Sequence, residues 1–294
     1  MSNSQASLLE IPDNDQALLV AIQLTSGVKV DENLAIIEQQ FEALRKQYPE
    51  KDIVVVLPEC CLMFAKRDSD VKAIAEEAGI GPMQQALCQL AEKFKVYLVA
   101  GTIAIKAPDG RHFAASLLIS PQGKILAQYN KIHLFDVDVA DGFGSYRESD
   151  NTHPGRDICV VETPIGRIGL AVCYDLRFSA LFKAMAEQQA DIIVLPSAFT
   201  KPTGQAHWEL LVRARAVENQ CFMIAANQSG LHQNGRETWG HSMIVSPWGE
   251  VCDELASGVG FIAAPLNPQL IQECRAKMPM AQQQRFSKSV LSAK

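Results

Sequence analysis

Short apolar runs alternate with amphipathic segments along most of this chain. Apolar runs of four to eight residues predict buried strands, and apolar residues at helical spacing predict helices. The predicted strands lie at residues 18–24, 53–57, 96–106, 113–119, 168–172, 192–196, 221–227, 242–246 and 259–264, and the predicted helices at 31–47, 83–94, 177–189 and 206–218. The last two strands are expected to pair around a turn at 247–249. Alternating strands and helices indicate an α/β protein whose sheets are covered by helices.

No Pro-, Gly- or Ser-rich linker interrupts this alternation, so we predict one domain over residues 1–294. Its core should span about residues 16–265. The remaining residues, 266–294, are polar and rich in Gln. We expect this tail to trail along the surface or to pack on a partner subunit.

Composition narrows the class of partner. With 48% hydrophobic residues among 294, the chain can bury a core, and a formal net charge of −6 argues against nucleic-acid or anionic-membrane binding. Residues 1–16 lack the basic and apolar pattern of a secretory signal, and no run approaches the roughly 20 apolar residues of a membrane span. We therefore expect a cytoplasmic protein that binds a small molecule.

The eight cysteines are scattered, with neither a disulfide framework nor the spacing of a metal site. This pattern favours a reducing compartment and predicts no metal and no cofactor. Cys60 and Cys61, beside Glu59, are most simply packing residues, although a redox role stays open. His232 and His241 match no metal spacing and are interpreted as loop or pocket residues.

Three reactive residues follow strand-like runs. Cys173 lies in residues 167–178 (RIGLAVCYDLRF), where an apolar strand gives way to a helical pattern, Glu59 ends residues 53–59 (IVVVLPE), and Lys131 lies in residues 127–136 (AQYNKIHLFD). Backbone N–H groups and a helix dipole at such a junction would favour a thiolate at Cys173. Each residue alone has an ordinary explanation, so their combination carries the interpretation.

Glu59, Lys131 and Cys173, in this order and in these contexts, resemble the Glu-Lys-Cys triad of the nitrilase (carbon-nitrogen hydrolase) superfamily. The resemblance runs from residues 18–23 to residues 248–250. It implies a four-layer α-β-β-α sandwich, in which two sheets face each other with helices outside. It also implies a homodimer or higher homo-oligomer.

The resemblance implies a division of roles. Cys173 would attack the amide carbonyl, Glu59 would move the proton, and Lys131 with the backbone N–H of Tyr174 would stabilise the oxyanion. A thioester would form and then be hydrolysed by water. A second glutamate often assists in this family, and its match is Glu148 in residues 145–149 (SYRES), which would hold Lys131 and the attacking water.

Two further residues suggest the substrate. Arg177 lies one helical turn beyond Cys173 and could bind a carboxylate through two hydrogen bonds. Thr203, just before a predicted helix, could add a hydroxyl and free N–H groups, or it could be a plain helix cap. These residues therefore predict a substrate that carries a carboxylate as well as an amide.

Within the superfamily, residues 133–138, 146–149, 204–209 and 213–221 resemble the deaminated-glutathione amidase branch. The related omega-amidases, which act on 2-oxoglutaramate or 2-oxosuccinamate, share the HLFD and AHWELL segments. Residues 220–230 (QCFMIAANQSG) favour the first branch. The implied reaction is hydrolysis of the terminal amide of a small 2-oxoacid amide, with release of ammonia or an amine.

Three rival interpretations are weaker. Cys173, His207 and Asn227 follow the chain order of papain-like proteases, but the cysteine context of such proteases is absent. Residues 136–142 (DVDVADG) imitate the start of an EF-hand loop, but Arg147 stands where a bidentate Glu is required. A non-catalytic binding protein on the same fold is opposed by the intact triad.

Overall fold

The computed structural model describes residues 16–139 and 144–285. The strands of this part are β1 Leu18–Gln23, β2 Ile53–Val56, β3 Tyr97–Val99, β4 Ile103–Lys106, β5 His112–Ile119, β6 Ile125–Asn130, β7 Asp136–Val139, β8 Gly144–Arg147, β9 Cys159–Thr163, β10 Gly166–Leu170, β11 Ile192–Ser197, β12 Phe222–Asn227, β13 Ser229–Leu231, β14 Glu237–Trp239, β15 Ser242–Val245, β16 Val251–Leu255 and β17 Gly260–Pro265. The helices are α1 Val30–Gln47, α2 Asp68–Ala73, α3 Pro82–Phe94, α4 Ser179–Glu187, α5 Lys201–Asn219, α6 Pro268–Lys277 and α7 Met280–Gln283, with 3₁₀ turns at Glu148–Asp150 and Cys173–Arg177.

Two large sheets form the centre of the molecule. The first has the order β17-β1-β2-β3-β5-β4, with β6 paired to β5, and the second has the order β16-β15-β12-β11-β10-β9. In β1, Leu19 and Ala21 point towards the second sheet, whereas Leu18, Val20 and Ile22 point towards a separate cluster under the helices. Successive side chains of a strand point to opposite faces, so an uninterrupted apolar run can fill two cores.

Helices cover the outer face of each sheet. Phe41 of α1 and Leu87 of α3 are buried in the cluster that lies on the first sheet. On the second sheet, Met185 of α4 fits against Gly169 of β10, and Trp208 of α5 is completely buried. The layers therefore run helix, sheet, sheet, helix, which confirms the four-layer α-β-β-α sandwich. No helix within residues 16–139 and 144–285 is long and apolar enough to cross a membrane.

The strand predicted over residues 96–106 is divided in the structure. It breaks between Val99 and Ile103 because Gly101 adopts a φ of +50°, where a Cβ atom would lie 2.1 Å from the carbonyl oxygen of Pro58. Only glycine tolerates such a close approach. The break sends β3 and β4 to different positions beside β5.

The predicted pairing of the last two strands is wrong. β15 forms a hairpin with β16, a strand that the sequence analysis missed, while β17 pairs antiparallel with β1 in the other sheet. β16 was hard to recognise because its five residues, Val251–Leu255, are only half-buried or exposed and include two acidic residues.

Residues after Pro265 do not simply trail along the surface. Ile271 and Cys274 of α6 are buried, and Arg275 donates to Asp191 Oδ1 at 3.0 Å. The amide of Gln220 donates to the Cys274 carbonyl at 2.9 Å. The first part of the expected tail therefore packs on its own chain. Residues 286–294, like residues 1–15, lie outside the described part.

Candidate active site

The three residues of the predicted triad meet at one end of the sandwich. Glu59 follows β2, Lys131 follows β6 of the same sheet, and Cys173 follows β10 of the second sheet. All three line one cavity of about 190 Å³ together with Glu148, Arg177 and Thr203. The structure thus brings together every side chain that the sequence analysis selected for the site.

Lys131 is buried in a cage of two carboxylates. Its side chain is 2% exposed, and its Nζ atom lies 2.8 Å from Glu59 Oε1 and 2.9 Å from Glu148 Oε2. The Phe135 N–H fixes Glu148 by donating to Oε2 at 2.6 Å. Burial alone would lower the pKa of Lys131, but the negative charges of Glu148 and Glu59 outweigh it and raise the pKa well above its ordinary value. Lys131 is therefore an ammonium ion.

Cys173 is buried, and its backbone has a φ of +45°, which is unusual for a residue with a side chain. Burial and then the nearby charge of Glu59 raise the pKa of its thiol well above the ordinary value, against the opposing effect of Lys131. The expected preference for a thiolate is therefore wrong. In addition, a short 3₁₀ turn follows Cys173 rather than the start of an α-helix, so the expected helix dipole is not at the thiol. The thiol is therefore neutral and lies close enough to Glu59 for the charge of Glu59 to act on it.

Asp175 organises the turn that carries Cys173, a role that sequence reasoning missed. Its buried carboxylate accepts the Val172 N–H at 2.9 Å, the Tyr129 hydroxyl at 2.7 Å and the His133 N–H at 3.0 Å. The His133 ring adds a contact from Nδ1 at 2.7 Å. The only signal in the sequence was an acidic residue two positions after the cysteine.

Gln228 holds the segment of Glu59 and was also missed. It is completely buried, and its Nε2 atom donates to the Glu59 carbonyl at 2.9 Å and to Ser26 Oγ at 2.7 Å. Its Oε1 atom accepts the Ser26 N–H at 3.0 Å. These bonds join the two sheets beside the carboxylate, because Gln228 follows β12 and Glu59 follows β2. Nothing in a local sequence pattern announces a contact between such distant residues.

Arg177 and Thr203 stand where the sequence analysis placed a substrate carboxylate. The Arg177 guanidinium carbon lies 5.5 Å from the ring centre of Phe199 and 5.9 Å from that of Tyr174, and Nη1 is 3.3 Å from His207 Nδ1. No carboxylate of the described residues forms an ion pair with Arg177. Its charge is thus available to an anionic ligand.

Thr203 lies in the first turn of α5, which begins at Lys201 rather than near Ala206 as predicted. Its hydroxyl is 2.9 Å from the hydroxyl of Thr200, the residue before the helix. Thr203 is therefore inside the helix and not the cap residue itself. The Tyr174 N–H belongs to the first turn after Cys173, where N–H groups lack partners within the turn.

The residues of the rival interpretations have other partners. Asn227 accepts the Phe199 N–H and donates to the Gly240 carbonyl, so it does not orient His207 as a protease triad would require. Residues 140–143 of the EF-hand-like segment lie outside the described part. In residues 16–139 and 144–285, no group of three or more His, Cys, Asp or Glu side chains could hold a metal ion.

The two cysteines beside Glu59 both have protonated thiols. Burial raises the pKa of Cys61 to about 12, and burial together with the charge of Glu59 raises that of Cys60 still further. The Cys61 sulfur lies 3.6 Å from the Ala100 carbonyl, and all eight cysteines of the chain are free. Cys61 packs in the buried cluster on the first sheet, whereas the Cys60 N–H donates to Thr102 Oγ1 at 2.9 Å.

A buried thiol beside a carboxylate and a caged ammonium ion, set between two facing sheets, is the arrangement of a thiol-dependent hydrolase that works without a histidine base. The chain belongs to the carbon-nitrogen hydrolase family, whose model matches residues 18–276. The protein is therefore an enzyme that hydrolyses C–N bonds of amides other than peptide bonds.

The relatives agree with this assignment. The chain is 42% identical to the deaminated glutathione amidase of Yersinia enterocolitica over 94% of its own length and 95% of the relative's. It is 35% identical to the deaminated glutathione amidase of a Synechocystis species over 92% and 98%. Among solved structures, Saccharomyces cerevisiae Nit3, a member of branch 10 of the nitrilase superfamily, superimposes with a TM-score of 0.83 at 30% identity, covering 92% of this chain and 97% of that one.

Proposed function

We propose that this protein hydrolyses the amide of a 2-oxoacid and that its substrate is deaminated glutathione. The observation that carries the proposal is the Lys131 ammonium ion, bound by Glu59 and Glu148 beside the neutral thiol of Cys173. The activity printed for the most similar curated relatives supports the choice of substrate.

The proposed first half of the reaction acylates Cys173. Glu59 accepts the thiol proton as the sulfur attacks the amide carbonyl, so a thiolate forms only when substrate is in place. Lys131 and the Tyr174 N–H donate to the oxygen that becomes negatively charged. Glu59 then passes its proton to the departing nitrogen, and the C–N bond breaks to leave a thioester.

The second half hydrolyses the thioester. Glu59 removes a proton from a water molecule that attacks the thioester carbonyl, and Lys131 again binds the oxyanion. Glu148 keeps Lys131 in position through two contacts, of 3.1 Å to Oε1 and 2.9 Å to Oε2. The acid leaves, and the proton returns to the Cys173 sulfur.

Arg177 supplies the proposed selectivity for an acid. Its planar guanidinium can bind a carboxylate through two parallel hydrogen bonds, and the rings of Tyr174 and Phe199 limit its movement. The Thr203 hydroxyl lines the same cavity and can donate to the substrate. Together they would hold the 2-oxoacid end while the amide carbonyl faces Cys173.

The test is a product assay with purified protein. Deaminated glutathione and 2-oxoglutaramate are each incubated with the wild type, with Cys173→Ala and with Cys252→Ala, which removes a thiol remote from the cavity. We expect acid product from the wild type and the control only, and an acyl adduct on Cys173 by mass spectrometry. Much faster turnover of 2-oxoglutaramate would indicate an omega-amidase instead, and no turnover of either would indicate a binding protein.

We also propose that the chain forms a homodimer or larger oligomer in the cytoplasm. Leu210 and Val217, two turns apart on α5, are 69% and 41% exposed, and Trp248 at the neighbouring β15–β16 turn is 53% exposed. An exposed apolar patch of this kind favours protein association. Light scattering at micromolar concentration tests the oligomer, and Leu210→Glu should weaken it.

The eight free thiols support a reducing compartment such as the cytoplasm, which cell fractionation would test.

A further inference from the structure

His232 is a buried histidine that the proposed mechanism does not use. It lies between β13 and β14, and its ring stacks on Phe64 with the ring centres 3.9 Å apart. One ring nitrogen, Nδ1, lies 3.0 Å from the Ser26 carbonyl oxygen, and the other, Nε2, lies 2.7 Å from Thr238 Oγ1. A buried ring with a polar partner at each nitrogen has a fixed orientation, so it does more than fill space.

The partners of the two nitrogens determine where the ring carries its proton. Burial lowers the pKa of His232, so the ring is neutral near pH 7 and has a single N–H group. A carbonyl oxygen can only accept a hydrogen bond, so this N–H group is at Nδ1 and faces Ser26. Nε2 then accepts the Thr238 hydroxyl proton, because the alternative acceptor, the Gly230 carbonyl, is 3.5 Å from Thr238 Oγ1.

The contact at Nδ1 leads to the catalytic carboxylate. The Ser26 N–H donates to Gln228 Oε1 at 3.0 Å, and Gln228 Nε2 donates to the Glu59 carbonyl at 2.9 Å. Ser26 and Gln228 are both buried, so water cannot easily replace a lost partner. The bond from His232 to Ser26 therefore helps to hold the segment that carries Glu59.

The contact at Nε2 leads to the wall of the cavity. Thr238 and Phe64 both line the cavity that contains Cys173. Because the hydroxyl proton of Thr238 points to Nε2 of His232, the Thr238 oxygen can offer a substrate only its lone pairs. The complementary group is an N–H, which every primary or secondary amide carries.

We infer that His232 is a positioning residue with a separate role at each ring nitrogen. Through Nδ1 it holds Glu59 in place for proton transfer, and through Nε2 it turns the Thr238 hydroxyl so that its oxygen accepts an N–H of the substrate. The first role acts on kcat and the second on KM. This inference rests on the proposed function, in which Glu59 moves the proton during hydrolysis of an amide.

Two substitutions separate the roles, because each keeps one of the two contacts. In His232→Asn the short side-chain amide can still donate to the Ser26 carbonyl, whereas in His232→Gln the longer amide can still accept the Thr238 hydroxyl proton. Both variants lose the same stacking on Phe64, so the stacking does not contribute to the difference between them. Thr238→Val removes the hydroxyl alone.

Lys201→Gln is the control for a β13–β14 hairpin that is merely loosened. Lys201 binds Glu237 of β14 at 2.7 Å, and both side chains are about half exposed, so the loss of this ion pair should change little. Steady-state kcat and KM are measured for the wild type and the variants with deaminated glutathione and with 2-oxoglutaramate. Thermal unfolding reports whether each variant folds.

His232→Asn and Thr238→Val should each raise KM by about three- to tenfold at nearly constant kcat, which corresponds to one neutral hydrogen bond. His232→Gln should instead lower kcat by about ten- to a hundredfold with little change in KM, because a small displacement of Glu59 slows proton transfer. Combining His232→Asn with Thr238→Val should raise KM no more than either change alone, since both remove the same contact. ¹⁵N NMR of the wild type should place the ring proton of His232 on Nδ1.

Equal changes of kcat and KM in the two His232 variants, or effects matched by Lys201→Gln, would show that His232 only supports the hairpin. A ring proton on Nε2, or an unchanged KM in Thr238→Val, would overturn the role at Nε2 even if a His232 variant did not fold. Each of these results would leave the proposed function intact. If the wild type hydrolysed neither substrate, the proposed function itself would fall, and this inference with it.

Discussion

Lys131 is held from two regions that are built differently. Glu59 follows β2, a fully buried strand of the seven-stranded sheet, and its side chain is 9% exposed. Glu148 follows β8, which belongs to a separate two-stranded hairpin, and its side chain is 20% exposed. The charge of Glu59 also raises the pKa of the Cys173 thiol, after the larger effect of burial, whereas Glu148 is secured by the Phe135 N–H. In the proposed mechanism, the buried core thus provides the group that moves protons, and the hairpin provides the group that positions the lysine.

Glu59→Gln should give the largest loss of catalytic activity. Glutamine keeps the shape and can accept a hydrogen bond from Lys131, but it cannot take a proton from a thiol whose pKa is raised. We expect kcat to fall by about 10²–10⁴-fold. Steady-state ammonia or amine release measures this, and circular dichroism should show an unchanged fold. Near-normal turnover would remove Glu59 from its role as the base.

Lys131→Met should give the second-largest loss of activity, because Lys131 contacts both regions. We expect a loss of about 10²–10³-fold in kcat when one charged oxyanion donor is removed. Lys131 lowers the pKa of Glu148, so the pKa of Glu148, already raised by burial, should rise further in this variant. A variant with full activity would show that the oxyanion is stabilised elsewhere.

Glu148→Gln should reduce kcat less than the first two changes. We expect a loss of about ten- to a hundredfold, which corresponds to one charge-assisted hydrogen bond. The lysine would still be bound by Glu59. Rapid-quench measurement of the acyl intermediate separates the two half-reactions. A loss as large as that of Glu59→Gln would mean that Glu148 transfers protons itself, and the division between the two regions would not hold.

The smallest expected effect concerns the resting thiol. The charge of Glu59 raises the pKa of Cys173 after the larger effect of burial, so Glu59→Gln should lower that pKa and shift the midpoint of Cys173 alkylation to lower pH. Glu148→Gln should leave the midpoint nearly unchanged. Mass spectrometry of the alkylated Cys173 peptide across a pH series provides the measurement, with the Cys252 peptide as internal reference. Equal shifts in both variants would contradict the proposal that Glu59, and not Glu148, acts directly on the Cys173 thiol.

The sequence patterns reveal the site unevenly. Glu59 could be identified from the sequence because an apolar strand leads directly into a carboxylate. Cys173 could be identified because a similar strand ends beside it. Glu148 lies in a polar segment without periodicity, so only resemblance to a family identified it. Asp175 and Gln228 act through buried hydrogen bonds between distant segments, and a linear pattern contains no such distances.

The same limits apply to the fold. Uninterrupted apolar runs identified β1, β2, β11 and β12, because strands buried on both faces need no alternation. The pairing of β15 with β16 and of β17 with β1 depends on contacts between residues far apart in the chain, which local periodicity cannot encode. The thiolate prediction failed for a related reason, since burial between the two sheets and the charge of Glu59 from the other sheet both raise the pKa of Cys173.

The pairing of the first strand with the last bears on how the protein is synthesised. β1 lies between β2 and β17, and the Leu18 to Pro265 partnership joins residues near opposite ends of the described chain. While the ribosome adds the intervening residues, one edge of β1 has no native partner and is open to pairing with other chains. The nascent protein should therefore depend on a chaperone until β17 emerges.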